Sequence, residues 1–143
     1  MGNEKKKVQV WVYRRIQGGL EVLLLLTRPD RGSFWQPITG SVEEGEELLV
    51  AAARELHEET GMGAGAIPFS LRKDFSFEKN GKMVREYGYV VQAPASAGIR
   101  LDSKEHVKLQ WVSPEEARDM LRYISNVEML DALLTFLKQG TKA

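Results

Sequence analysis

From Val8 to Arg14 the chain alternates, with Val8, Val10 and Val12 on one face and Gln9, Trp11 and Tyr13 on the other. A period of two predicts a β-strand, and the aromatic second face predicts cover on both sides. Gln17-Gly18-Gly19 turns the chain into Glu21–Thr27, whose unbroken leucines predict a second strand buried on both faces, the pair forming a hairpin. Leu71–Phe77 and Met83–Gln92 read as strands joined across Asn80-Gly81, a strong hairpin turn, and His106–Val112 as a further strand. Ser113-Pro114-Glu115-Glu116 starts a helix, with Ser as N-cap, Pro at the first position and Glu closing a capping box, and it runs to about Arg122. A last helix is predicted from near Ser125, with Glu128 in the same capping relation and an apolar stripe of Val127, Leu130, Leu133, Leu134 and Leu137. Met1 to Glu4 should fray, and Gly63–Pro68 and Pro94–Leu101 read as loops.

Between the second and third strands lies Gly40–Met62, GSVEEGEELLVAAARELHEETGM. As a helix, steps of about 100° per residue place Glu55, Glu58 and Glu59 on one side and Leu49, Ala52, Ala53, Leu56 and Thr60 on another. Glu55 and Glu59 stand at i and i+4, with Glu58 at i+3 from Glu55, so three like charges crowd together with one cation, Arg54, among them. A solvated helix face is one account of such a run. The other is a divalent hard cation, Mg²⁺ or Mn²⁺, which turns the repulsion into coordination and is commonly held by a few carboxylates together with substrate phosphates.

Composition narrows the classes. At 143 residues, 43% of them apolar, the chain reads as one α/β domain spanning residues 1–143, with a mixed sheet between the Glu-rich helix and the C-terminal helices. Zero net charge gives no global attraction for nucleic acid or an anionic membrane, so phosphate binding is expected to rest on the local metal. The absence of cysteine excludes a disulfide scaffold and thiol catalysis and fits a cytoplasmic protein. Lys5-Lys6-Lys7 leads into an alternating strand and not a signal-peptide core, and the apolar run Val22–Leu26 is too short for a bilayer.

Gly40, Glu46, Arg54-Glu55, the apolar Leu56, Glu58-Glu59, Gly61 and the apolar Met62 together resemble the Nudix box at every specified position. The resemblance implies an αβα sandwich of the Nudix fold, hydrolysing a nucleoside diphosphate linked to another moiety with Mg²⁺ or Mn²⁺. It implies Glu55, Glu58 and Glu59 as metal ligands, with Glu55 the candidate that also orients or deprotonates the attacking water. Arg54 would hold a glutamate, and Glu46 would steady the loop through Arg54 or a backbone amide. Gly40 would permit a tight turn and Gly61 the left-handed helix end. Many members carry a second glycine just before the box; here Thr39 takes that place, and its carbonyl would be a metal ligand.

FWQPITGSVEEGE is most similar to the branch of dihydroneopterin triphosphate and deoxynucleoside triphosphate pyrophosphohydrolases. Glu105-His106 followed by Trp111, and Ser125-Asn126, resemble the same branch, which implies Glu105 as a further ligand or base and Asn126 as a cleft residue. Phe34, Trp35 and Gln36 approach the box from a loop; base stacking and core packing are both open for the rings, as they are for Tyr87 and Tyr89. The expected reaction is water attack on a nucleoside or pterin triphosphate, giving monophosphate and pyrophosphate. Dinucleoside polyphosphates, nucleoside diphosphate sugars and a non-catalytic binding module are the alternatives, and the protein is expected to be a monomer or homodimer.

Overall fold

A computed structural model describes residues 4–63, 65–102 and 104–140, so most of the expected frayed start, and Ala64 of the loop after the box, lie outside the described residues. In chain order the elements are β1 (Lys5–Ile16), β2 (Gly19–Thr27), a 3₁₀ turn (Pro29–Arg31), β3 (Trp35–Gln36), β4 (Ile38–Ser41) and α1 (Leu48–Thr60). β5 (Phe69–Lys79), β6 (Lys82–Gln92), β7 (His106–Val112), α2 (Pro114–Met120) and α3 (Ile124–Gly140) follow. Phe34, Trp35 and Gln36, expected on a loop, follow the 3₁₀ turn, and Trp35 and Gln36 form β3 just before β4.

β1 is the spine of a mixed seven-stranded sheet. One edge of it runs parallel to β6, from Lys5↔Val84 to Tyr13↔Gln92. The other edge is shared: Lys7–Val10 pairs with β4, and Tyr13–Ile16 pairs with β2 through the expected hairpin. β2 in turn carries β7 on one side and β3 on the other, at Leu25 and Leu26. Beyond the Tyr13↔Val22 pair, β1 and β2 therefore splay apart, and the opening is lined by β3 on one arm and β4 on the other. Asn80 and Gly81, with φ of 52° and 78°, make the two-residue turn between β5 and β6. Positive φ at both central residues is what a type I′ hairpin requires.

The alternation of β1 divides the core into two layers, as the pattern predicted. Val8, Val10 and Val12 pack with Leu23, Leu25, Tyr89 and Val91 under α1, through Ala51, Ala52 and Leu56. Trp11 and Tyr13 pack with Leu24, Val90 and the helices α2 and α3 on the opposite side, through Ala117, Met129, Leu130 and Leu133. α2 carries the predicted capping box in full: Ser113 Oγ accepts from the Glu116 N–H at 3.1 Å, and Glu116 Oε1 accepts from the Ser113 N–H at 3.1 Å. α3 departs from expectation. The N–H groups of Asn126 and Val127 both reach back to the Tyr123 carbonyl, so the helix begins at Ile124 and Ser125 lies inside its first turn.

Gly88 decides how close α3 can come. An added Cβ would overlap Met129 Sδ and lie 2.7 Å from its Cε, and Met129 is fully buried. Gly88→Ala should therefore destabilise the fold by about 1–3 kcal/mol, the usual cost of overpacking a close-packed core. A urea midpoint unchanged from the parent protein would contradict this packing.

Candidate active site

α1 begins after Glu47 and ends at Gly61, whose φ of 75° and N–H bond to the His57 carbonyl make the expected left-handed cap. Its rotation about its own axis differs from the expected one. Leu49 is 45% exposed, whereas Ala51, Ala52, Glu55, Leu56 and Glu59 all face inward, Glu59 with only 1% of its surface accessible. The carboxylate line thus lies in the middle of the packed face. Two small residues, Ala51 and Ala52, let the helix approach the sheet, and Gly40 on β4 leaves the space that Glu55 fills. Gly40 is paired with Val8 in the ladder. Its lack of a Cβ, and not a tight turn, is what the site requires.

Arg54 ties the box together. Its Nε and Nη2 donate to Glu46 at 2.9 and 3.0 Å, its Nη1 to Glu55 at 2.9 Å and Glu58 at 3.2 Å, and its Nη2 also to the Ser41 carbonyl at 2.9 Å. Glu46 in addition accepts from the Glu43 N–H at 2.9 Å. Hydrogen bonds from the Arg54 guanidinium and that amide hold the Glu46 carboxyl down at about 2, while the pKa of Arg54 is raised by its carboxylate partners. Glu58 lies outward with its side chain half exposed.

The group that converges is Glu55, Glu59 and Glu105, which offer one oxygen each within 4.8 Å of one another. Glu105 sits just before β7, where Arg31 of the 3₁₀ turn donates to its Oε1 at 3.4 Å. Glu59 accepts from His106 Nδ1 at 2.9 Å, and His106 Nε2 lies 3.0 Å from Gln36 Nε2. With a carboxylate on one nitrogen and an amide NH₂ on the other, the consistent assignment is the neutral Nδ1–H tautomer, Gln36 donating to Nε2. Glu59 and His106 are buried and Gln36 is half-buried at the cavity wall, so a Gln36–His106–Glu59 chain orients one carboxylate of the cluster.

Burial raises the pKa of Glu55, against the pull of Arg54, and pushes Glu59 up to about 7, with Glu105 adding to the rise and His106 opposing it. Three hard carboxylate oxygens converging on one point, those of Glu55, Glu59 and Glu105, are a donor set that fits Mg²⁺ or Mn²⁺. Without metal, the folded protein keeps a proton on Glu59 that the unfolded chain has already released. Its stability should therefore fall as pH rises from about 4.5 to about 7. Urea midpoints in EDTA across that window, compared with those of Glu59→Gln, test this: the parent should lose stability relative to the variant, and parallel curves would refute it.

A cavity of about 630 Å³ opens over the cluster in the splay between β3 and β4. Phe34, Gln36, Thr39, Arg54, Glu55 and Glu105 among the expected site residues line it. Trp35 packs with the α2–α3 core, Tyr87 and Tyr89 belong to the core under α1, and buried Asn126 does not line the cavity. Tyr123, absent from the expected set, does line it, edge-on to Phe34 at 5.5 Å between ring centroids. The Arg122 guanidinium covers the Phe34 ring at 4.8 Å. Lys5, Lys7 and Lys79 also reach the cavity, so phosphate binding need not rest on metal alone. Nothing local marks Tyr123 or Lys79 in the sequence, since only tertiary packing brings them here.

The NUDIX domain family matches residues 5–133. An octanoyltransferase from Myxococcus xanthus is 39% identical over 104 residues, which are 71% of this chain but 29% of that protein, so the chain spans less than a third of it. Dihydroneopterin triphosphate diphosphatase of Escherichia coli K12 is 28% identical over 138 residues, 89% of this chain and 91% of that protein. The Ap4A hydrolase of C. elegans, in a binary complex, superposes with a TM-score of 0.83 at 24% identity, covering 94% of this chain and 98% of that one. No helix among the described residues is long and apolar enough to cross a membrane. With a family match over residues 5–133, the box in place on and before α1, and Glu55 and Glu59 converging with Glu105 beside a cavity, the chain belongs to the Nudix hydrolase superfamily and is a pyrophosphohydrolase.

Proposed function

We propose that this protein, acting as a single domain in the cytoplasm, hydrolyses a nucleoside or pterin triphosphate to the monophosphate and pyrophosphate with Mg²⁺ or Mn²⁺. The observation that carries the reading is the convergence of Glu55, Glu59 and Glu105 beside a cavity whose wall includes Glu55 and Glu105 together with Phe34 and Tyr123. A volume of about 630 Å³ falls within the usual size of small-molecule sites. The similarity to dihydroneopterin triphosphate diphosphatase over most of both chains supports the triphosphate class.

Glu55, Glu59 and Glu105 would hold the cation, with the Thr39 carbonyl and Glu58 as further candidate ligands. Bound there, the cation would neutralise polyphosphate oxygens and lower the pKa of bound water. Arg54 keeps Glu55 in place, and buried His106, backed by Gln36, fixes Glu59. Of the three carboxylates, Glu105 is the one open to solvent, and it would be placed to take a proton from water; its contacts are a long bond to Arg31 and a hydrogen bond to Glu59. Phe34 and Tyr123 would receive the flat ring of the substrate.

Product analysis with Mg²⁺ tests the reading. The panel comprises the four deoxynucleoside triphosphates, CTP, dihydroneopterin triphosphate, ADP-ribose and a diadenosine polyphosphate. Pyrophosphate release from a triphosphate is the expected result. Cleavage confined to ADP-ribose or the diadenosine compound would overturn the substrate class.

A further inference from the structure

We propose that Lys5, Lys7 and Lys79 form a polyphosphate-binding wall, so that the substrate lies across the splayed sheet with its ring against Phe34 and Tyr123 and its distal phosphates on the lysines. The proposal rests on the triphosphate reading above and adds the direction in which the substrate lies. Sheet order supplies the geometry. Phe34 leads into β3, which borders β2, whereas Lys5 and Lys7 are on β1 and Lys79 ends β5, beyond β6. The carboxylates lie between these walls, since Glu55 packs against Gly40 on β4, the strand that borders β1.

The wall has no direct ion pair among the described residues, and Glu86 and Glu105 act on Lys7 only from beyond contact. Among the described residues no carboxylate forms an ion pair with Lys5, Lys7 or Lys79, whereas Arg14, Arg28, Arg31, Arg54 and Arg85 each have one. Lys7 is half-buried beside its β6 neighbour Glu86, but the carboxylate of Glu86 is turned to Gln9 Nε2 at 2.7 Å. Its ammonium pKa is lowered, chiefly by burial and further by Lys79 and Lys5, with Glu86 and Glu105 opposing. A desolvated ammonium beside two like charges is costly unless an anion joins it. A run of phosphate oxygens is such an anion, and compact lysine point charges suit a flexible chain.

The test uses inorganic tripolyphosphate as the probe, titrated calorimetrically with Mg²⁺ into the full-length protein, so that no hydrolysable organic substrate is required. Lys7→Met and Lys79→Met should each weaken binding by about tenfold, as expected for loss of a charge-assisted contact. Lys82→Met, across the Asn80-Gly81 turn and outside the cavity, serves as the control for net charge. Thermal melts establish that each variant is folded. Unchanged affinity in Lys7→Met and Lys79→Met, or an equal loss in Lys82→Met, overturns the wall. If no triphosphate in the panel is hydrolysed while tripolyphosphate binding depends on Lys7 and Lys79, the wall stands and the substrate reading fails.

Discussion

Glu59→Gln should lower kcat/KM by a hundred- to a thousandfold while leaving the chain folded, since Lewis-acid stabilisation is worth several kcal/mol and each ~1.4 kcal/mol is tenfold. Glutamine has the shape of glutamate, and its amide oxygen can still accept from His106 Nδ1–H, so the chain to Gln36 survives. What is lost is the charge, at a position where burial already disfavours it. The variant should accordingly match or exceed the parent in metal-free stability at neutral pH while losing affinity for Mn²⁺. Activity within about tenfold of the parent would show that Glu59 does not hold the transition-state charge.

Gly40→Ala should abolish most activity by a different route. A Cβ at this position would overlap Cδ, Oε2 and Cγ of Glu55, a residue with only 7% of its surface exposed. Glu55 must then leave its place beside Arg54 Nη1, which breaks both the box network and the three-carboxylate cluster. The stability loss should be about 1–3 kcal/mol, typical of overpacking. Glu55→Ala removes the atoms that clash, so in that background Gly40→Ala should cost much less, a non-additivity expected of residues in contact. A cost that is the same in both backgrounds would place the strain elsewhere, in the β1–β4 ladder.

Much of this protein is local and was legible as such. The strand cores, the Asn80-Gly81 turn, the Ser113–Glu116 capping box and the Gly61 helix end all follow from rules that act within a few residues. The two-layer core also follows from sequence, because a period of two in β1 with both faces apolar demands cover on both sides. The box residues were identifiable because a helix places i and i+4 together wherever it is built.

Tertiary structure decided what those residues face. Helical periodicity sets the angles between side chains but not the helix's rotation against its neighbours; here small alanines and the missing Cβ of Gly40 turned Glu55 and Glu59 inward and left Glu58 outside. The Glu59–His106 bond spans 47 positions in the chain, and no local rule links its partners. Lys79 and Tyr123 reached the cavity by the same kind of long-range assembly. Trp35, Tyr87 and Tyr89 went to the core instead, because strand register alone assigns a ring on a strand to one face or the other.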